Sequence, residues 1–330
     1  MIIQMVVIWM IEFLNMIYPN KFTNMKIAKC KYSLMLNDEG MIFDDGVIAK
    51  LDENHYLIHT TSSGASTVLD WLDQWLQTEW DHFNVSLRSV TDKWTTISVN
   101  GPKSRDLASR LFENVDFSNE SFPFMSYKET SVDDIPIRIF RVSFSGELCF
   151  EINVPSNYGQ YFWDKTFELG RDLSIVPYGT EAMHVLRAEK GFVIVGQETD
   201  GSVTPVDLDM NWIVSKKKYD FIGKRALYRS DTVREDRKQL VGILTKDPNI
   251  VLEEGAQLVE EVSKPPMKMI GHITSSYHSP NLGRSIALAL VKEGLKKKGK
   301  TIYAPMPNKT IEVEICDPVF IDPLNERLSA

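Results

Sequence analysis

After Arg237 the chain stops offering helices, and that change of pattern constrains its fold more than any other feature. Short alternating runs at 240–245, 257–262, 270–274, 285–291 and 310–315 are separated by Pro, Gly and Asn. Period-two runs bounded by turn formers read as strands. Residues 236–330 are therefore expected to form a compact all-β domain, a barrel or a sandwich. Upstream, residues 1–235 mix both periodicities and read as an α+β region, with the charged stretch 231–238 as the expected linker. At 330 residues the chain is long enough to bury more than one core.

Within the first region, 41–50 and 56–60 predict a hairpin around Asp52-Glu53-Asn54. A helix is expected at 65–80, where Val68, Leu69, Leu72, Trp75 and Leu76 recur at helical spacing. Its tryptophans continue that stripe, so they read as core. A strand at 94–99 ends at Asn100-Gly101, and Pro102 opens a helix. A second hairpin joins 135–143 to 148–154 through Ser145-Gly146; helices at 158–170 and 180–190 and a short one at 222–229 follow. Residues 1–11 are apolar except for Gln4, which predicts a buried strand entering a helix at about residue 11. The run is too short for a membrane span and lacks the basic flank and small-residue site of a signal peptide, leaving the cytoplasm as the default. So abrupt an apolar start predicts that the chain begins inside a domain.

Composition removes several classes of function. A net charge of −8 argues against nucleic-acid binding, which relies on positive surface. Lys216-Lys217-Lys218 and Lys296-Lys297-Lys298 are local exceptions and read as solvated surface. Cys30, Cys149 and Cys316 form no CxxC pair, and the histidines form no HExxH, so neither a metal site nor a disulfide framework is expected. No GxGxxG, Walker loop or GxSxG elbow is present. Chemistry must come from carboxylates, aromatics and shape.

The strongest carboxylate signal is the pair Asp44-Asp45 in a strand-like run that follows the turn Asn37-Asp38-Glu39-Gly40. Alternation puts Asp45 with Met41, Phe43 and Val47, and Asp44 with Ile42, Gly46 and Ile48. Both faces are apolar, so at least one carboxylate is expected inside, where an unpaired charge costs several kcal/mol and needs a partner or a ligand. The pattern leaves a plain alternative open, in which one Asp caps a backbone and the other is solvated.

Five motifs then recur in order: Leu34 to Val47, Phe144-Ser145-Gly146-Glu147, Leu186-Arg187-Ala188-Glu189-Lys190-Gly191, Phe221-Ile222-Gly223-Lys224, and Ser279-Pro280-Asn281-Leu282-Gly283-Arg284-Ser285-Ile286-Ala287. The series resembles the aminomethyltransferase family, that of the folate-binding T-protein of glycine cleavage. The phrases Tyr178 to Phe192, Val195 to Gly201 and Lys268 to Tyr277 look like the branch that forms the C-terminal folate domain of the sarcosine oxidase alpha subunit.

The resemblance implies an aminomethyltransferase fold with a C-terminal β-barrel, shortened at its N-terminus, and tetrahydrofolate as cofactor. It implies Asp45 as the catalytic aspartate, Glu151 as the pterin-recognising glutamate and Tyr32 as an aromatic of the folate pocket. One carboxylate can accept two N–H groups of a pterin at once. Phe144, where the T-protein pattern has a Tyr, and Arg187 complete the residues it places at the cofactor. Met183 stands where that pattern has an Arg, which shifts the site away from glycine cleavage. By pattern alone Glu151 shares a face with Cys149 and Asn153 and reads as solvent-facing, Tyr32 as core, and Arg187 as a structural ion-pair candidate. Flavin-bearing oxidase subunits are the implied partners, with no nucleic acid and no membrane. The competing reading is a non-catalytic folate-binding or assembly piece, or a stand-alone folate-dependent transferase.

Overall fold

The computed structural model describes the backbone of residues 2–6 and the whole of residues 10–330. Met1 and residues 7–9, on which part of the expected opening strand falls, lie outside the described residues. A first antiparallel sheet contains β1 (Ile2–Val6), β2 (Cys30–Leu36), β3 (Ile42–Asp52), β4 (His55–His59) and β5 (Ser86–Ser89), in the spatial order β2-β3-β4-β1-β5. A second contains β6 (Trp94–Asn100), β7 (Ser126–Val132), β8 (Ile135–Arg141) and β9 (Cys149–Pro155), in the order β6-β9-β8-β7. The strands β10 (Lys238–Thr245), β11 (Gln257–Val259), β12 (Met269–Ser279), β13 (Arg284–Lys292), β14 (Thr301–Met306) and β15 (Lys309–Cys316) close into a six-stranded barrel.

Helices cover the outer face of each sheet. Phe13, Leu14 and Ile17 of α1 (Met10–Ile17) and Val68, Leu72 and Leu76 of α2 (Ala65–Thr78) pack on Met35, Ile48, Tyr56 and Ile58 of the first sheet. The tryptophans belong to this core; Trp75 and Trp80 stack with ring centroids 5.2 Å apart. Behind the second sheet, α3 (Ser104–Leu111) and α4 (Gly159–Leu169) cover Ile97, Val99, Phe150 and Ile152. Each fully buried side chain of this size contributes about 1.5–3 kcal/mol. Face to face, the two sheets enclose Cys30, Ala49, Leu57, Tyr127, Phe140 and Val142. Cys30 N–H donates to the Met125 carbonyl (2.8 Å) and Tyr127 N–H to the Ala28 carbonyl (3.1 Å), so the start of β2 links them.

The fifth helix, α5 (Thr180–Glu189), differs from the others because its buried residues are Arg187, Ala188 and Glu189. It packs on β12 and β13 of the barrel. Beyond the barrel the C-terminal residues run back across the first region. Phe320 and Ile321 N–H groups donate to the Glu189 carbonyl, Lys190 pairs with Asp322, and Arg327 with Glu147. No helix among the described residues is long and apolar enough to cross a membrane.

Several local expectations need correction. The short helix expected at 222–229 is only a 3-10 turn at Ala226–Tyr228. Gly223 has φ +81° and lies against the backbone of Gly40 and Asn37, so the segment bends to receive the Asn37–Gly40 turn instead of winding. Strand β14 was not among the expected barrel strands, because Pro305 interrupts its run. It is tolerated because β14 meets β11 only at Val259↔Tyr303, leaving Pro305 paired on one side. Two of the six clustered lysines are not solvated surface. Lys218 donates to the Tyr18 and Asn20 carbonyls and lies over the Phe221 ring, and burial lowers its pKa to about 7. Lys297 is 8% exposed and pairs with Glu260.

Candidate functional site

The two aspartates of β3 diverge to opposite layers. Asp44, 3% exposed, turns outward to the helices, where Thr61 Oγ1 donates to it (2.6 Å) and Thr61 N–H does so at 3.4 Å. Thr61 Oγ1 also accepts from Gly64 N–H, the N-cap of α2, so Asp44 is tied to that helix terminus. Asp45 turns inward, to the face that meets the second sheet, and accepts a 2.6 Å hydrogen bond from the Tyr32 hydroxyl. Asp44 thus takes the backbone-binding role that the plain alternative gave one Asp, while Asp45 is partly enclosed and paired.

The register explains the divergence and corrects one assignment. Met35 pairs with Asp44 and Leu36 with Ile42, so β3 carries an extra residue, Phe43, between them. A bulge of this kind reverses the alternation. Val47 shares the Asp45 face as expected, but Phe43 packs with Trp71 on the helical side, and Ile42 joins Leu34 and Leu36 in the core toward the barrel.

Glu151 lies on the inner face of the second sheet, cross-strand from Ser98 on one side and Phe140 on the other. Alternation rightly grouped it with Cys149 and Asn153, but that face meets the first sheet and not solvent. Its charge raises the thiol pKa of Cys149 and of Cys30, behind the larger effect of burial on each. Cys30 is two residues from Tyr32 on the same face of β2, so Glu151 and the Tyr32–Asp45 pair lie on the inner faces of the two sheets.

Both carboxylates sit in a recess: protein surrounds them, yet each keeps some accessible surface. Burial raises Asp45 to about 6, opposed by the Tyr32 hydrogen bond and aided by the charge of Asp44. Burial raises Glu151 to about 7. Among the described residues no cation pairs with either, and nothing donates a hydrogen bond to Glu151. Tyr32, with its hydroxyl held by Asp45, has its own pKa raised by burial first and by that charge second.

The remaining expected residues lie at the edges. Phe144 stacks on Phe192 (centroids 6.4 Å apart) and precedes Ser145, whose hydroxyl donates to Asn100 Oδ1 (2.8 Å); Asn100 Nδ2 donates to the Tyr178 hydroxyl. Met183, where the pattern substitutes an Arg, is half-buried on α5. Arg187 is fully buried at the interface of α5 with the barrel. Its guanidinium donates to Glu198 Oε2 (2.8 Å), the Phe192 carbonyl (3.0 Å), Ser275 Oγ (2.6 Å) and Gln197 Oε1 (3.3 Å), so it faces protein groups and not the recess. Glu189, two residues on, accepts instead from Ser279 Oγ and Asn281 Nδ2, which places the Ser279-Pro280-Asn281 motif at the same interface.

Sequence reasoning did not single out Thr61, His59 or Asn153. Asn153 is 1% exposed, accepts from Thr96 Oγ1 and leaves Nδ2 unpartnered. The run Thr60-Thr61-Ser62-Ser63-Gly64 ahead of a helix was a readable capping signal for Thr61; for the other two the sequence carries none. Among the described residues no group of three or more His, Cys, Asp or Glu could hold a metal ion.

Residues 10–218 match the family model "GCVT N-terminal domain", and 238–322 match the "Glycine cleavage T-protein C-terminal barrel domain". The chain is 48% identical over 320 residues to a sarcosine oxidase subunit alpha of Corynebacterium sp. (strain U-96), covering 96% of this chain and 33% of the relative. It is 38% identical to that of Rhizobium meliloti, covering 96% and 32%. It thus spans about a third of the length of these relatives. An aminomethyltransferase of Thermotoga neapolitana is 28% identical, covering 94% of this chain and 81% of that one. The crystal structure of glycine cleavage system aminomethyltransferase T from Bartonella henselae superposes with a TM-score of 0.84 at 23% identity, covering 97% and 84%, and shares the fold.

Proposed function

This chain belongs to the glycine cleavage T-protein family, and on that premise we propose that it is the folate-dependent one-carbon transfer module of a sarcosine-oxidase-type enzyme. The observation that supports the reading is the pair of inner sheet faces, one carrying Tyr32–Asp45 and the other Glu151, with no described cation neutralising either carboxylate. Unpartnered polar groups in such a place suit a ligand rich in N–H donors, and a reduced pterin is one. When bound, tetrahydrofolate supplies the nucleophilic nitrogens that capture an amine-derived iminium or formaldehyde as 5,10-methylenetetrahydrofolate.

The residues divide the remaining work. Glu151 accepts two N–H groups at once, and its carboxylate, unopposed by any described cation, is free to do so. Asp45, with a pKa of about 6, is mostly ionised at neutral pH, so Oδ1 can accept a proton or stabilise a cation while the Tyr32 hydroxyl, bonded to Oδ2, fixes its orientation. Phe144 and Phe192 supply an apolar edge. Met183, in place of an Arg, removes a positive charge from the family pattern, which sets this site apart from that of glycine cleavage. In this reading amine oxidation takes place outside this chain, on a flavin-bearing part of the enzyme; the names of the sarcosine oxidase relatives give an oxidase of more than one subunit.

Glu151→Gln tests the cofactor assignment. Exchanging a charged acceptor for an amide is expected to weaken tetrahydrofolate binding about 10- to 100-fold in titration calorimetry, with the melting curve intact. If the wild-type chain shows no micromolar binding, the catalytic-module reading gives way to the non-catalytic one.

A further inference from the structure

Beside Glu151 the inner face of the second sheet is accessible. Ser98, its cross-strand neighbour on β6, is exposed, and Asn100, two residues along that face, is half-buried. Tyr178, just ahead of α5, reaches this face and is itself 39% exposed. The run it opens, Tyr178 to Phe192, is one of the phrases that mark the sarcosine-oxidase branch. Tyr178 is not among the residues that the family resemblance places at the cofactor.

Hydrogen bonds fix the polarity of this corner. Glu147 N–H donates to Ser145 Oγ, and Ser145 in turn donates to Asn100 Oδ1 (2.8 Å). The Asn100 amide nitrogen is therefore at the other end, where it donates to Ser98 Oγ (2.9 Å) and to the Tyr178 oxygen. With that oxygen accepting, the phenol has its own proton left to donate. Burial raises the phenol above its ordinary pKa; a hydrogen bond with Ser98 opposes this, and the charges of Cys149 and Glu151 add to it. The proton therefore stays in place at neutral pH. A carboxylate that only accepts and a hydroxyl with a proton to give thus share one open face.

We propose that Tyr178 is a specificity-determining residue of this site, its hydroxyl donating to the ligand carbonyl that adjoins the N–H edge taken by Glu151. This rests on the folate reading above. A pterin carries its 2-amino group, its N3–H and its 4-oxo oxygen in sequence along one edge. Glu151 accepts from the first two and repels the third, because an ionised carboxylate has no hydrogen to offer. Tyr178 supplies the missing donor. A ligand with an amino group at position 4 sets N–H against O–H, two donors with no acceptor between them.

The test is anaerobic titration calorimetry of the whole chain with tetrahydrofolate and with its 4-amino analogue, tetrahydroaminopterin, two ligands in the same oxidation state. Wild type is expected to favour tetrahydrofolate at least about tenfold. Tyr178→Phe keeps the ring and, at so exposed a position, is expected to leave the melting curve unchanged. It should weaken tetrahydrofolate about three- to tenfold and leave the analogue as tight or tighter, so that the preference narrows. A wild type without the preference overturns the role of the hydroxyl and leaves the folate reading standing. So does a Phe variant that binds tetrahydrofolate as wild type does, or that loses affinity for both ligands alike. A wild type that binds neither ligand overturns both.

Discussion

Replacing Asp45 by Asn is expected to reduce folate-dependent one-carbon transfer by about 10²–10⁴-fold, the usual contribution of a positioned acid–base group. The same change is expected to stabilise the unligated chain at alkaline pH. The folded-state pKa of Asp45, about 6, is above its ordinary 3.8, so between these values the native state binds more protons than the unfolded one. Wild-type stability therefore rises as pH falls from about 7 towards 4, and above that window the buried charge is a liability that Asn does not carry. Because the recess remains reachable by solvent, the gain at pH 8 is expected to be about 1–2 kcal/mol and to close near pH 4. Transfer assays in a complex reconstituted with flavin-bearing oxidase subunits check the first expectation, and unchanged turnover there would rule out Asp45 as the catalytic group. Denaturant midpoints of the chain at both pH values check the second; a variant less stable than wild type at pH 8 contradicts the burial argument.

Arg187→Met should give the largest loss of stability in the molecule, about 3–5 kcal/mol. Arg187 and Glu198 are both fully buried, and Glu198 also accepts from Thr274 Oγ1, Ser275 Oγ and Ile194 N–H. Removing the guanidinium leaves Glu198 charged and enclosed at the junction of α5 and the barrel. The double variant Arg187→Met, Glu198→Gln leaves no such charge and should recover part of the loss. Urea unfolding of the two variants measures this directly. A single-variant cost below about 1 kcal/mol would mean that apolar packing, and not this pair, holds α5 to the barrel.

These outcomes separate the motifs that carry chemistry from those that carry architecture. In the sequence both looked alike, as charged residues in unusual company. Arg187, Glu189 and Lys190 stand in one run, yet each reaches a different partner: Glu198, the Ser279–Asn281 turn and Asp322. All three fasten the first region to the barrel and the residues beyond it. Asp44 is likewise architectural, tied to the start of α2, while its neighbour faces the recess.

Periodicity by itself settled which residues share a face: Glu151 with Cys149 and Asn153, the α2 stripe with its tryptophans, and the alternating strands after Arg237. Those signals are local, because side-chain direction repeats every two residues in a strand and every 3.6 in a helix. What each face meets was decided only by the tertiary structure. The bulge at Phe43, the second sheet lying over Glu151, and the partners of Asp44 and Arg187 depend on residues 17 and 90 positions away, such as Thr61 and Tyr277. Whether a polar side chain is solvated or enclosed depends on what is packed over it, and no local period carries that information.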